Sequence, residues 1–278
     1  MRRSTTFAGT ESSAGKSLRR RTVLALLSVE AAGAIFVLSR RPTPVTAAAP
    51  AAPQPEPGRR TFATHDGRTV QLLVLGTDSR LPERIVAELD SAVDAVNGFW
   101  GSDWRRDISI VVAGTDEEFR VLAGGGPDFA ASTTVDHIVF APGAAAMGPG
   151  ALRVVLRHEL FHYASRLVTA ADAPWWLTEG VADYVGRPRT APPIGAVELA
   201  VLPTDADFRT TGPALSQAYD RAWWFTRYVA ARFGEQTLRR LYVAACGTGH
   251  PDVDTALAHT LGTDRNMMLA DWRRWLAG

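Results

Sequence analysis

The residues best placed to do chemistry are His158, Glu159 and His162, which form the pattern His-Glu-x-x-His. They lie within residues 148–167, where apolar side chains recur with helical spacing. Positions i and i+4 of a helix share one face, so the two imidazoles can reach one metal ion. The intervening carboxylate points near the open coordination position, where a water molecule would sit. The pattern therefore predicts a zinc-dependent hydrolase.

A catalytic zinc ion takes three protein ligands, so the histidine pair needs a partner from elsewhere in the chain. Glu179 opens a second predicted helix, and residues 163–178 separate it from the first motif. A segment of that length can end the first helix, turn back and present a carboxylate to the metal.

The two motifs together resemble the gluzincin metallopeptidases, and more narrowly the peptidase MA-like group. The resemblance rests on His158-Glu159-x-x-His162 followed by Trp176-Leu177-x-Glu179-Gly180-x-Ala182. It implies a zincin-like α+β fold: a small mixed sheet packed on the active-site helix, followed by a mostly helical C-terminal part. It also implies His158, His162 and Glu179 as zinc ligands, with Glu159 as the general base that activates a zinc-bound water.

Two further site residues follow from the same resemblance. Gluzincins often carry an aspartate four residues after the third ligand, where it hydrogen-bonds the first ligand histidine. Asp183 occupies that position, and the alternative for it is a solvated helix carboxylate. A tyrosine or histidine downstream of the third ligand stabilises the oxyanion in this group. Tyr219, 40 residues after Glu179, is the candidate, whereas Tyr228 and Tyr242 fall in apolar helical settings typical of a core.

The neighbouring sequence separates this chain from related zinc peptidases. The metzincin extension requires Gly at 165 and His at 168, where this chain has Ser165 and Val168. No Gly-x-Met-Glu-Asn segment precedes the first motif, so we expect an endopeptidase rather than an enzyme that trims amino termini. Two alternatives remain open. One is a catalytically inactive zinc-binding module that recognises peptides or cell-envelope material, and the other is a structural domain with a coincidental motif.

The amino-terminal part has the pattern of an export segment. Residues 1–21 form a basic region, residues 22–39 are apolar apart from Glu30, and Arg40-Arg41 follow. The positive-inside rule keeps the basic end in the cytoplasm and exports the body. The apolar run is either a membrane anchor or a cleaved signal, exported by the general or the twin-arginine route. Residues 42–58, rich in Pro and Ala, are a predicted linker to a catalytic domain at 59–278.

Composition limits the partners. Residues 1–41 hold 8 basic and 2 acidic residues, which leaves 22 basic and 27 acidic residues in the body. The mildly acidic body gives no electrostatic support for nucleic-acid binding, so a peptide or protein substrate is the expected partner. The single cysteine, Cys246, excludes an intrachain disulfide. The sequence contains no signal for the oligomeric state.

The elements that must position the motifs can be outlined from periodicity and turn signals. Strands are predicted at 68–75, 107–113 and 135–141, and helices at 82–99, from Thr115, at 148–167 and at 215–233. An irregular Pro-rich passage is predicted at 188–213, and three shorter helices at the end. The resemblance implies that the third strand is a sheet edge beside the cleft, and an interior strand is the alternative.

Overall fold

The computed structural model describes residues 58–76, 80–124 and 129–278. The predictions for residues 1–21 and 22–39, and for the linker up to residue 57, lie outside the described residues. Within the described part of the chain, no helix combines the length and apolar character that crossing a membrane requires.

A five-stranded mixed sheet forms the first half of the domain. In sheet order the strands are β1 (Gly58–Ala63), β2 (Thr69–Val74), β3 (Asp107–Val112), β5 (Ile138–Phe140) and β4 (Ala131–Thr133). The two outer pairs, β1–β2 and β5–β4, are antiparallel, and the two inner pairs are parallel. In β2 the alternate residues Val70 and Leu72 are fully buried, as expected for a strand with one face on the core.

Helices cover the sheet and make up the rest of the domain. They are α1 (Leu81–Trp100), α2 (Asp116–Ala123), α3 (Pro149–Ser165), α4 (Trp175–Gly186), α5 (Gly212–Phe233), α6 (Glu235–Cys246), α7 (Val253–Leu261) and α8 (Arg265–Ala277). Three short 3₁₀ turns, Pro142–Ala146, Ala196–Leu199 and Asp207–Arg209, lie between them. The predicted α+β class, with a small mixed sheet and a mostly helical C-terminal part, is confirmed.

Two glycines allow α4 to pack closely between α3 and α5. A Cβ at Gly186 would lie 2.9 Å from the carbonyl oxygen of Val154 in α3. A Cβ at Gly180 would lie 2.8 Å from the carbonyl oxygen of Ala222 in α5. Neither distance is tolerable for a real side chain, so both positions require glycine. The close approach at Gly186, which also lies against His158, holds α4 next to the helix that carries the histidines.

The third strand differs from its prediction. Residues 135–141 were predicted as one strand, either at a sheet edge beside the cleft or in the interior. The strand β5 is only Ile138–Phe140 and takes the interior alternative, between β3 and β4. The edge strand is β4 (Ala131–Thr133), which the sequence did not indicate. The three residues of β4 are small or polar, and a strand of this length shows too little alternation of apolar and polar side chains to be predicted. The first strand, β1, was also missed, because its side chains are largely exposed and show no alternation.

Candidate active site

Helices α3 and α4 bring the two histidines and Glu179 to one point. The Nε2 atoms of His158 and His162 lie 3.1 Å apart. Glu179 Oε2 lies 3.1 Å from Nε2 of His158, and Glu179 Oε1 lies 3.4 Å from Nε2 of His162. His158 and Glu179 are buried, and His162 is half-buried at the cleft. These three residues are the group within the described chain whose ligand atoms converge closely enough to hold a metal ion.

The donor set fits zinc. Around a tetrahedral zinc ion with bonds of about 2.0–2.1 Å, neighbouring ligand atoms lie about 3.3 Å apart. The Nε2 atoms of the two histidines are 3.1 Å apart, and Oε2 of Glu179 is 3.1 Å from Nε2 of His158, which is close to that spacing. The other carboxylate oxygen of Glu179, Oε1, lies 3.4 Å from Nε2 of His162. Two imidazoles and one carboxylate, with the cleft open on the fourth side, make up the ligand set of catalytic zinc sites.

Two buried charges behind His158, Asp183 and Arg187, fix the orientation of its ring. His158 Nδ1 donates to Asp183 Oδ1 at 2.9 Å, so in the neutral ring the lone pair of Nε2 faces the ligand point. The other oxygen, Asp183 Oδ2, pairs with Arg187 Nη2 at 2.7 Å. Arg187 Nη1 donates in turn to Asp220 Oδ1 at 2.8 Å. Asp183 is fully buried, so it is not the solvated helix carboxylate that was its alternative assignment.

Without a cation, the site itself favours charge separation. Burial opposes the charged form of His158, but hydrogen bonds to Asp183 and Glu179 outweigh it and raise the pKa of His158 well above its usual range. Burial likewise opposes the charged form of Glu179, but His162 and His158 together hold its pKa well below the usual range. The ligand point is therefore set up for a positive charge, which either a proton or a metal ion can supply.

Glu159 lies beside the ligand point and lines the cleft, and it is hydrogen-bonded to the edge strand β4. Its carboxylate oxygen Oε2 accepts from the hydroxyl of Thr133, with an oxygen–oxygen distance of 2.6 Å. The same hydroxyl lies 3.0 Å from the backbone carbonyl oxygen of Glu159. The general base predicted from the sequence is therefore tethered to β4.

Tyr219 and Trp175 lie on the other side of the ligand point. The ring centroids of Tyr219 and His158 are 6.5 Å apart, and Phe208 packs edge-on against Tyr219 at 4.8 Å. Burial and the negative charges of Glu179 and Asp183 raise the pKa of Tyr219 well above its usual range. The indole Nε1 of Trp175 donates to Glu179 Oε1 at 3.2 Å. Tyr219 therefore lies where a proton donor could reach the cleft.

A cleft of about 750 Å³ opens over these residues. Its outer wall consists of residues 129–133, which include the edge strand β4, together with residues 169–173 and parts of the turn at 205–209. Asp205 Oδ1 in that turn accepts from the backbone N–H of Trp175 at 2.9 Å. It thereby caps the N-terminus of α4, where Pro174 provides no side-chain cap. The lining residues of β4 are Ala131, Ser132 and Thr133, which carry no charge.

Sequence reasoning missed three residues of this site: Thr133, Trp175 and Arg187. Arg187 had a usable signal, because it stands four residues after Asp183 and so shares its helix face. Trp175 likewise stands four residues before Glu179. Thr133 had no signal, because its contact with Glu159 joins a strand and a helix that are 26 residues apart.

Comparisons with known proteins find similarity only among solved structures. No protein-family profile matches the chain, and no curated protein matches it. Membership of the peptidase MA-like group therefore stays a prediction. Solved structures with partial similarity include Legionella pneumophila aminopeptidase A in complex with aspartic acid (14% identity, TM-score 0.48, covering 78% of this chain and 28% of that one).

Two others are an M1 zinc metallopeptidase mutant from Deinococcus radiodurans and an aminopeptidase N family protein from Idiomarina loihiensis. The Deinococcus protein is 18% identical with a TM-score of 0.47, and the match covers 80% of this chain and 52% of the Deinococcus chain. The Idiomarina protein is 13% identical with a TM-score of 0.45, and the match covers 78% of this chain and 46% of the Idiomarina chain. This chain therefore spans about half or less of the length of the structures it resembles.

Proposed function

We propose that this protein is a zinc-dependent peptidase. The observation that carries the proposal is the convergence of His158, His162 and Glu179 at zinc-ligand spacing, with the Glu159 carboxylate beside them in an open cleft. A structural helix has no reason to aim two imidazoles and a buried carboxylate at one point, because such a cluster costs desolvation free energy.

The chain's own groups divide the work of hydrolysis. His158, His162 and Glu179 would hold zinc, which when bound supplies Lewis-acid activation of a water molecule and of the substrate carbonyl. Glu159 accepts the proton of the attacking water and delivers it to the leaving amine. Tyr219 keeps its phenolic proton at neutral pH, as an ordinary tyrosine does, and its raised pKa strengthens that preference. It would donate a hydrogen bond to the developing oxyanion.

The substrate in this proposal is an extended peptide that is cleaved internally. The edge strand β4 has an unpaired side towards the cleft, where a peptide can add as a further strand. The three residues of β4 carry no carboxylate that could hold a free α-amine beside an added strand. Of the other lining carboxylates away from the ligand point, Asp205 already accepts from the backbone of Trp175 and Asp172 is exposed on the rim, so we favour endopeptidase over aminopeptidase activity. We place the catalytic domain outside the cytoplasmic membrane, on the charge pattern of residues 1–41.

The test combines metal content with hydrolysis in the full-length chain. Wild type should bind one zinc ion per chain and cleave an internally quenched peptide whose amino terminus is acetylated. Glu159→Gln should keep the zinc and lose the cleavage, since the amide cannot accept the proton. Cleavage only of free-amine peptides would refute the endopeptidase assignment. Zinc and peptide binding without turnover in wild type would identify a binding module instead.

A further inference from the structure

The Glu159 carboxylate has one hydrogen-bond partner in the described part of the chain, the hydroxyl of Thr133. An oxygen–oxygen distance of 2.6 Å is in the range of a charge-assisted bond to an ionised carboxylate. A hydroxyl has a single proton, so the shorter contact takes it, and the 3.0 Å contact to the Glu159 carbonyl oxygen locates the hydroxyl over the helix. The bond engages Oε2 and leaves Oε1 for another partner.

The helix by itself does not fix the Glu159 side chain. Glutamate has three rotatable bonds, and ordering them costs up to about 2 kcal/mol in rotamer entropy. Misplacing a reacting group by about 1 Å can reduce a rate about 100-fold. A bond that ties one carboxylate oxygen to the backbone-paired strand β4 therefore has a large effect on how often the other oxygen is correctly placed.

The position of Thr133 in the sheet gives this bond a second consequence. Thr133 pairs with Ile138 of β5 on one side, while the other side of β4 faces the cleft. The strand that would receive the peptide is thus the strand that holds the base. Pairing of a peptide with β4 would stiffen Thr133 and, through it, Glu159.

We infer that Thr133 is a positioning residue that fixes the Glu159 carboxylate from the edge strand of the sheet. This inference rests on the proposed function, because it assigns Thr133 a role in the same hydrolysis. Thr133 acts through Glu159, because both hydrogen bonds of its hydroxyl in the described chain go to Glu159.

The test compares Thr133→Val, which keeps the shape and removes the hydroxyl, with Thr133→Ser, which keeps the hydroxyl. Thr133→Val should lower kcat about 10- to 100-fold, with KM and zinc affinity within about threefold of wild type. Thr133→Ser should restore kcat to within about threefold of wild type. Thr134→Val, one residue along in the β4–β5 turn, removes a hydroxyl that bonds only turn backbone and controls for damage to the hairpin.

Two results would overturn the inference: an unchanged kcat in Thr133→Val, or a Thr133→Ser variant as slow as Thr133→Val. The second result would show that the methyl group, not the hydroxyl, is what matters. If Thr133→Val folds poorly, Thr133→Ala gives the same contrast with Thr133→Ser. Glu159→Gln in the same assay separates the two claims. If wild type shows no turnover that depends on Glu159, the proposed function fails, whereas Glu159-dependent turnover untouched by Thr133→Val refutes only the role of Thr133.

Discussion

The inner and outer walls of the cleft are built in different ways. The inner wall is formed by α3 and α4, where the buried charges of Asp183 and Arg187 connect the ligand point to the half-exposed carboxylate of Asp220. The outer wall is formed by residues 129–133, by residues 169–173 and by the turn at 205–209. Its contacts with the inner wall include the hydrogen bonds that join Thr133 to Glu159 and Asp205 to Trp175, and the stacking of Phe208 on Trp175. In the proposed function, we therefore expect the inner wall to control metal affinity and the outer wall to control how substrate and Glu159 are aligned.

The largest expected effect is the loss of a metal ligand from the inner wall. Glu179→Ala should weaken zinc binding about 100-fold or more, because the total binding free energy of about 10–16 kcal/mol is shared among few ligands. Competition with a chelator measures the affinity. Asp172→Ala is the control, since Asp172 is an exposed carboxylate on the rim of the same cleft. Equal zinc affinity in the two variants would contradict the three-residue site.

Removing the innermost charge of the same wall should affect both stability and metal binding. Arg187→Met leaves Asp183 buried without its cation, which should lower the free energy of unfolding by about 3–5 kcal/mol. Zinc affinity should fall about 10- to 100-fold, as it does when outer partners of a ligand histidine are lost. Denaturant unfolding and zinc competition measure the two effects.

Arg189→Met is the matched control for that variant. Arg189 makes an exposed ion pair with Glu235, so its loss should cost at most about 1 kcal/mol. If Arg187→Met were no more damaging than Arg189→Met, the chain of charges behind His158 would contribute nothing to the site.

The pH dependence of the metal-free protein should show the charges of the inner wall directly. The pKa of His158 is raised in the folded state, so its contribution to stability is complete below about pH 6.5 and is lost as the pH rises through the folded-state pKa. The pKa of Glu179 is lowered, so its contribution is present above about pH 4.5 and is lost as the pH falls through its folded-state pKa. Stability of the metal-free chain should therefore be highest between about pH 4.5 and 6.5.

With zinc bound, the free energy of unfolding should no longer fall as the pH rises above about 6.5. Metal binding requires neutral histidines, so zinc competes with the proton on His158 and stabilises the fold more as the pH rises. Thermal unfolding across this pH range, with and without zinc, measures both curves. Parallel curves would mean that His158 is not the group shared by proton and metal.

The same contrast explains what the sequence could predict. The i,i+4 spacing that pairs His158 with His162, and Glu179 with Asp183, is visible in the residue order, and the family resemblance predicted that the two pairs meet at one site. The outer wall has no such regularity. The strand β4 is too short for a periodic pattern, and the bonds from Thr133 and Asp205 join positions 26 and 30 residues apart. Only tertiary packing brings those residues to the cleft.

The smallest expected effect tests whether the outer wall is energetically separate from the metal site. Helix α4 begins after Pro174 without a side-chain cap of its own, and Asp205 supplies that acceptor from the turn. Asp205→Ala should lower the free energy of unfolding by about 1 kcal/mol, the usual cost of a lost cap. Zinc affinity should stay within about twofold of wild type, and KM should rise because the turn no longer holds the cleft in shape. A large loss of zinc affinity in this variant would mean that the two walls are one unit, since the N-terminal turn of α4 carries Glu179 as well as the cap.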